Sequence, residues 1–187
     1  VSPELRAPVS ALLQRLAPGE LFTAEGLRAL DSLVRAGAPR TLTPADEAHT
    51  IVRYATTASF RPYRGELTEW IEALDEASEM DRSALGLLAR YSGGVYVIRQ
   101  RGAIASFAGI HPQSPHISEV GVRTDASALR GHGLARAVVS RATRAILAAD
   151  RLPLYRHHAS NLPSRRVAEV LGYRIYAESA AYFALGG

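Results

Sequence analysis

Gly131 and Gly133 stand one residue apart, directly ahead of Leu134, Val138, Ala142, Ile146 and Ala149, which repeat at helical spacing. A glycine loop that opens a helix can hold an anion. The first-turn N–H groups have no helical partners, and the helix dipole favours negative charge there. Glycine also lets the backbone approach a phosphate closely. A tight loop leading into an amphipathic helix would carry the same two glycines, so the motif alone is weak. It is not a Rossmann fingerprint: Arg136 stands where the third small residue belongs, and Asp150 precedes the next strand instead of ending it. Nor is it a P-loop, because the chain has no lysine.

Proton chemistry has two candidates near the loop. A free imidazole suits proton removal near neutrality, and His116 reads either as a general base or as a loop residue after Pro115. Glu119, three residues on, reads either as a base or as a salt-bridging acid, and a regular strand points it to the other face unless a bulge intervenes. Asn161 is the only asparagine. It suits a helix N-cap, with Pro163 in the first turn, and it equally offers a side-chain amide to a ligand. Ser164 and Arg165 follow one turn on, and Arg165 reads as a solvated residue or as a bidentate phosphate contact. His157 and His158 are neighbours on a strand pattern, so they face opposite ways and cannot chelate one metal together; no metal is expected. Tyr155, Tyr176 and Tyr182 read as half-buried packing. There is no G-x-S-x-G elbow. With no cysteine, thiol nucleophiles, disulfides and Cys–metal sites are excluded.

The 187 residues are 47% hydrophobic, enough for one cored domain or one domain with an extension. All 22 basic residues are arginine, a composition expected of a GC-rich bacterial genome. Charge is uneven. Residues 1–98 hold ten Arg against thirteen acids, and residues 99–187 hold twelve Arg against five acids, together with five of the six His. The basic half suggests an anionic partner or an Arg-solvated surface. Nucleic acid is not favoured, because the arginines are dispersed and few aromatics interleave with them. No apolar run approaches the roughly 20 residues of a membrane span, and the first residues show no secretory pattern. The expectation is therefore a cytoplasmic protein without a membrane or nucleic-acid partner.

The elements that must position these residues fall into two textures. The first ninety residues read as helices: Ser10 to Leu16; a Thr23-capped helix through Leu27, Leu30, Leu33 and Val34 that stops at Gly37; a Thr43-Pro44 start leading to Ala48, Ile51 and Val52; Glu66 to Ala77; and Asp81 to Arg90. Then come strands at Val95–Ile98 and Ala103–Ile110, a His111–Pro115 loop, and a strand from His116 to Val122. The Gly131 loop and its helix follow, then a strand at Leu152–His158. A helix from Asn161 to Leu171 stops at Gly172, and short strands at Tyr173–Ala177 and Ala181–Leu185 close the chain. This order describes a mixed α/β sheet.

The stretch from Ile117 to Tyr173 resembles the GNAT superfamily of acyl-CoA-dependent N-acetyltransferases. Arg130-Gly131-His132-Gly133-Leu134-Ala135 is similar to its Q/R-x-x-G-x-G/A pyrophosphate loop, and Val120-Gly121-Val122 to its fourth strand. Asn161, Ser164 and Val167 to Tyr173 are similar to its asparagine and "LGF/LGY" helix. The resemblance covers roughly Val95 to Leu185. It implies a mostly antiparallel sheet flanked by helices over residues 63–187, with residues 1–62 as a helical N-terminal extension. It further implies acetyl-CoA as cosubstrate in a wedge after the fourth strand. Backbone groups of Val120, Gly121 and Val122 would meet the acetyl and pantetheine amide groups, and amides from Arg130 through Ala135 the pyrophosphate. Asn161, Ser164 and Arg165 would lie along the pantetheine or a phosphate. The implied reaction is direct attack by a primary amine of a small molecule or peptide, with His116 or Glu119 as base. A homodimer is compatible with this. Two departures stand out: Ala168 occupies the usual place of a proton-donating Tyr, and Arg156 that of a family Glu. They motivate the alternative of a non-catalytic acetyl-CoA-sensing module.

Overall fold

The computed structural model describes residues 3–17, 20–37, 49–74, 91–124 and 131–181. Its frame is a seven-stranded sheet in the order β2-β3-β4-β5-β6-β1-β7. The strands are β1 (His49–Tyr54), β2 (Ile71–Leu74), β3 (Val95–Gln100), β4 (Ala103–Ser114), β5 (Ile117–Thr124), β6 (Leu152–His158) and β7 (Arg174–Ala180). The described helices are α1 (Pro3–Arg15), α2 (Ala24–Ala36), α3 (Leu134–Ala148) and α4 (Leu162–Val170). β2 through β5 pair antiparallel, whereas β5 and β6 pair parallel. This is the mixed, mostly antiparallel sheet with flanking helices that the sequence leads one to expect.

The chain divides into two compact units. One comprises residues 1–51, 157–162 and 177–187. In it Thr23 caps α2, its hydroxyl accepting the Gly26 N–H at 3.1 Å, and Gly37 ends the helix. Leu12 of α1 and Leu30 of α2 are buried. His49 stacks on Phe22 and pairs with Glu178 at 2.8 Å.

The other unit, residues 52–156 and 163–176, contains the larger core. Leu134, Val138, Ala142 and Ile146, the expected helical series, are buried on α3 against Ile98, Ala108, Ile110 and Val120 of β3, β4 and β5. Ala168, Leu171 and Tyr173 belong to the same cluster. The Thr143 hydroxyl donates to the Val139 carbonyl at 2.7 Å, so the Tyr173 hydroxyl, 2.7 Å away, donates to Thr143. The opposite sheet face carries a second cluster of Val95, Val97 and Phe107, with Tyr91 packed against it.

Several expected elements are corrected. Ile51 and Val52 lie on β1 and not on a helix. Three consecutive β-branched residues, Thr50 to Val52, suit a strand, and Ile51 and Arg53 are buried in alternation. The helix expected over Glu66–Ala77 is a 3-10 turn, Glu66–Trp70, followed by β2. The spacing of Leu67, Trp70, Ile71 and Leu74 fits a helix, but pairing of Ile71 to Leu74 with Ile98 to Val95 overrides it. Trp70 is left 60% exposed. The His111–Pro115 loop is shorter than expected: β4 continues to Ser114, absorbing Pro112 with a register irregularity just after it. The Ser10–Leu16 stretch is part of the longer α1, and one strand, β7, covers the first of the two closing strands. The Thr43-Pro44 start, the Asp81–Arg90 helix and residues 182–185 lie outside the described residues.

Two measurements test this packing. Gly172 ends α4 at φ +82, and a Cβ there would stand 1.9 Å from the Ser59 carbonyl oxygen. Gly172→Ala is expected to destabilise the protein by about 2–4 kcal/mol in urea unfolding, from left-handed strain plus a backbone clash. Burial pushes the phenols of Tyr155 and Tyr173 up from their ordinary value. Both are neutral in either state below about pH 10. Above it the unfolded chain ionises first, so stability falls as pH rises. The melting temperature should drop between pH 9 and 11, and less steeply in Tyr173→Phe.

Candidate active site

The parallel register of β5 and β6 runs Ile117↔Leu152, Ser118↔Pro153, Glu119↔Leu154 and Val120↔Tyr155, and ends there, although both strands continue. On its other edge β5 stays paired with β4 as far as Thr124. Past Val120 no described strand pairs with the β6-facing edge of β5, and an extended ligand can pair with it as a strand would. Val120 is buried, and Gly121 and Val122 are half-buried.

The glycine loop takes the form its sequence suggests. Gly131 and Gly133 have φ of +87 and +86. Among the described residues nothing lies within 4 Å of a Cβ built on Gly131. Gly133 caps α3 without any side-chain hydrogen bond, and the first turn holds no acid. Among the described residues no side chain caps the N–H groups of Leu134, Ala135 and Arg136. His132 is exposed, and Arg136 stacks over Tyr63 at 5.4 Å. Arg130 lies outside the described residues.

Glu119 lies on the sheet face away from α3. Its neighbour across β4 is His111. The Gln113 side-chain amide is 3.2 Å from Glu119 Oε2 and 3.0 Å from His111 Nδ1. Arg156, just past the last parallel pair, reaches Glu119 at 3.5 Å, the two side chains being 51% and 22% exposed. An amide and a guanidinium thus hold the Glu119 carboxylate. His116 does not join this group. It is exposed in the β4–β5 turn, four residues before Val120 and so roughly 13 Å along the strand. Arg151 holds that turn by donating to the Ser114 and Ile117 carbonyls.

Asn161 is exposed just ahead of α4, its N–H donating to the His158 carbonyl at 2.9 Å. In the other unit, Ser164 lies beside the Tyr155 hydroxyl and offsets part of its burial-driven rise. Arg165 pairs with Glu169 at 2.8 Å, and the buried Arg53 reaches the same oxygen at 3.2 Å. Arg165 above all holds the Glu169 carboxyl below its usual range. Arg165 is exposed. Among the described residues no group of three His, Asp or Glu converges as a metal site. A cavity of about 290 Å³, lined by Tyr63, Thr68, Ile71, Ala137, Ser140, Arg141 and Arg144, contains none of the residues expected at the site.

Tyr91 escaped the sequence reading. Its ring crosses Gly109 on β4 and Gly121 on β5, which are register partners. A Cβ on Gly109 would meet the ring at 2.2 Å, and one on Gly121 would meet the hydroxyl oxygen at 2.2 Å. Glycine inside a strand is the signal of such a close approach, and both glycines are legible in the sequence.

Residues 40–174 match the family model described as an acetyltransferase (GNAT) domain. No curated protein matches the chain. Among solved structures, a GNAT-family acetyltransferase from Novosphingobium aromaticivorans is 25% identical, with a TM-score of 0.59 over 74% of this chain and 66% of its own. A GCN5-related N-acetyltransferase-like protein from Streptococcus suis is 21% identical (TM-score 0.56, 84% and 68%). A Drosophila protein is 12% identical (TM-score 0.62, 98% and 68%). The chain thus spans about two thirds of the length of the structures it matches.

Proposed function

The chain belongs to the GNAT acetyltransferase family, and from that premise we propose that it moves an acetyl group from acetyl-CoA to a primary amine of a small molecule or peptide, by direct attack in a ternary complex. The observation that carries this reading is the end of the β5–β6 register at Val120, in the same unit as a helix start with two positive-φ glycines. The open β5 edge fits an amide-bearing arm, and the empty space over Gly131 fits a pyrophosphate. Backbone groups of Val120, Gly121 and Val122 would hold the acetyl and pantetheine end. Amides of Gly131, His132, Gly133, Leu134 and Ala135, with Arg130 ahead of them, would hold the phosphates. Asn161 and Ser164 would lie along the arm.

Bound there, acetyl-CoA supplies an activated acyl carbon on a thiol leaving group. Glu119 receives a proton from the acceptor ammonium, so that the nitrogen lone pair is free to attack. Glu119 is the better placed of the two candidate bases, one residue from the open edge where His116 is four. Gln113 and Arg156 orient its carboxylate. The new bond is C–N and the bond lost is C–S. The ammonium loses two protons in all, one ending on the thiol sulfur and one in solvent.

Acetyl-CoA at 100 times its dissociation constant should stabilise the protein by about 2.7 kcal/mol, read as a melting shift; an absent shift at saturating ligand would sink the proposal. Gly131→Val should weaken acetyl-CoA binding at least tenfold by calorimetry, because its side chain enters the open space and β-branched residues resist positive φ. Glu119→Gln should lower kcat/KM for amines by about 10²-fold or more in a thiol-release assay, with acetyl-CoA binding retained.

A further inference from the structure

Ala168, where the resemblance would place a proton-donating Tyr, is fully buried in the α3-side core and carries no proton to give. The chain's own answer lies on the other sheet face. Tyr91 lies across two strands because both residues beneath it are glycine. The Cγ end of the ring sits over Gly109 on β4, and the hydroxyl end over Gly121 on β5. The phenol axis therefore points from β4 across β5, towards the side where β6 has parted from it. Gly121 is the first residue past the last β5–β6 pair. Glu119 shares that face of β5, two residues or about 7 Å away along the strand. Phe107 meets the Tyr91 ring edge-on, at 6.2 Å and 66°, and fixes it from the side.

We propose that Tyr91 is the proton donor to the departing thiol, acting from the sheet face that carries Glu119 and not from α4. This rests on the acetyl-transfer reading given above. As the C–S bond breaks, the sulfur leaves with the bonding pair and takes the Tyr91 hydroxyl proton, becoming a thiol. Of the two protons lost by the ammonium, one leaves through Glu119 to solvent. The other returns, through water, to the Tyr91 oxygen. The atoms balance without any further reactant. Simple packing would ask only for a ring over two glycines. The phenol oxygen reaches Gly121, where β5–β6 pairing has stopped.

The test compares the wild type with Tyr91→Phe and Tyr91→Ala. Tyr91→Phe keeps the ring between its neighbours, so its melting temperature should stay close to wild type while kcat falls by about 10²-fold, with the alkaline limb of the pH–rate profile lost. A readout independent of turnover is calorimetric binding of free CoA against desulfo-CoA. The wild type should prefer the thiol several-fold, and Tyr91→Phe should bind the two equally. Wild-type kcat in Tyr91→Phe, or an unchanged thiol preference, would overturn the proposal. So would loss of activity confined to Tyr91→Ala, which marks a packing role. If the wild type fails to bind acetyl-CoA at all, the acetyl-transfer reading falls and this inference falls with it. If acetyl-CoA binds and turns over but Tyr91→Phe is silent, only this inference falls.

Discussion

Backbone hydrogen bonds in a sheet need partners, and β5 and β6 supply one another over just four residue pairs, from Ile117↔Leu152 to Val120↔Tyr155. A buried donor or acceptor left unpaired costs about 1–3 kcal/mol. An open stretch of strand edge is therefore stable only where water or another extended chain can occupy it. The position of that opening is fixed by what anchors the two strands up to it. Val120 and Tyr155 are both buried in the α3-side core, and Tyr155 leans on Tyr173 at 5.6 Å between ring centres. Beyond these anchors β5 is still held by β4 on its far edge. It remains straight and presentable where β6 no longer accompanies it.

The sheet then separates two kinds of work. Its α3 face is packed with Leu134, Val138, Ala142 and Ile146, and the helix that covers it starts at the positive-φ glycines Gly131 and Gly133. The opposite face carries the linked side chains of Glu119, Gln113, His111 and Arg156 and the ring of Tyr91. The alternation of side chains along a strand makes this division automatic. Val120 belongs to one face and its neighbours Glu119 and Gly121 to the other, so one short piece of β5 serves the core, the strand edge and the Glu119 cluster.

Much of this was legible in the sequence, and the reasons are local. The α3 series, the Thr23 cap, the Gly37 and Gly172 stops and the positive-φ pair at Gly131 and Gly133 are set by residues close in the chain. What sequence spacing misread are the edge and inner strands of the first half. Leu67, Trp70, Ile71 and Leu74 fit a helix as well as a strand, and only the partner β3 decides between them. β1 was hidden for the same reason: its neighbours in the sheet, β6 and β7, lie a hundred residues away. The chemistry was legible by halves. Glu119 could be named, but its partners Gln113 and Arg156 depend on register. Arg165 could be named too, yet its ion pair with Glu169 depends on the helix turn that brings them together. Tyr91 left its trace elsewhere, as two glycines inside strand patterns.

Gly109, Gly121 and Tyr91 also constrain how this chain can drift. Any side chain at position 121 collides with the phenol, and any at 109 collides with the ring. A single exchange at either glycine must expel the tyrosine, while a smaller residue at 91 leaves a furrow over two bare strands. The three positions are thus epistatic. Changes among them are non-additive, as expected of residues in direct contact. A viable route from this arrangement to another passes through a loss at Tyr91 before either glycine can grow, never the reverse.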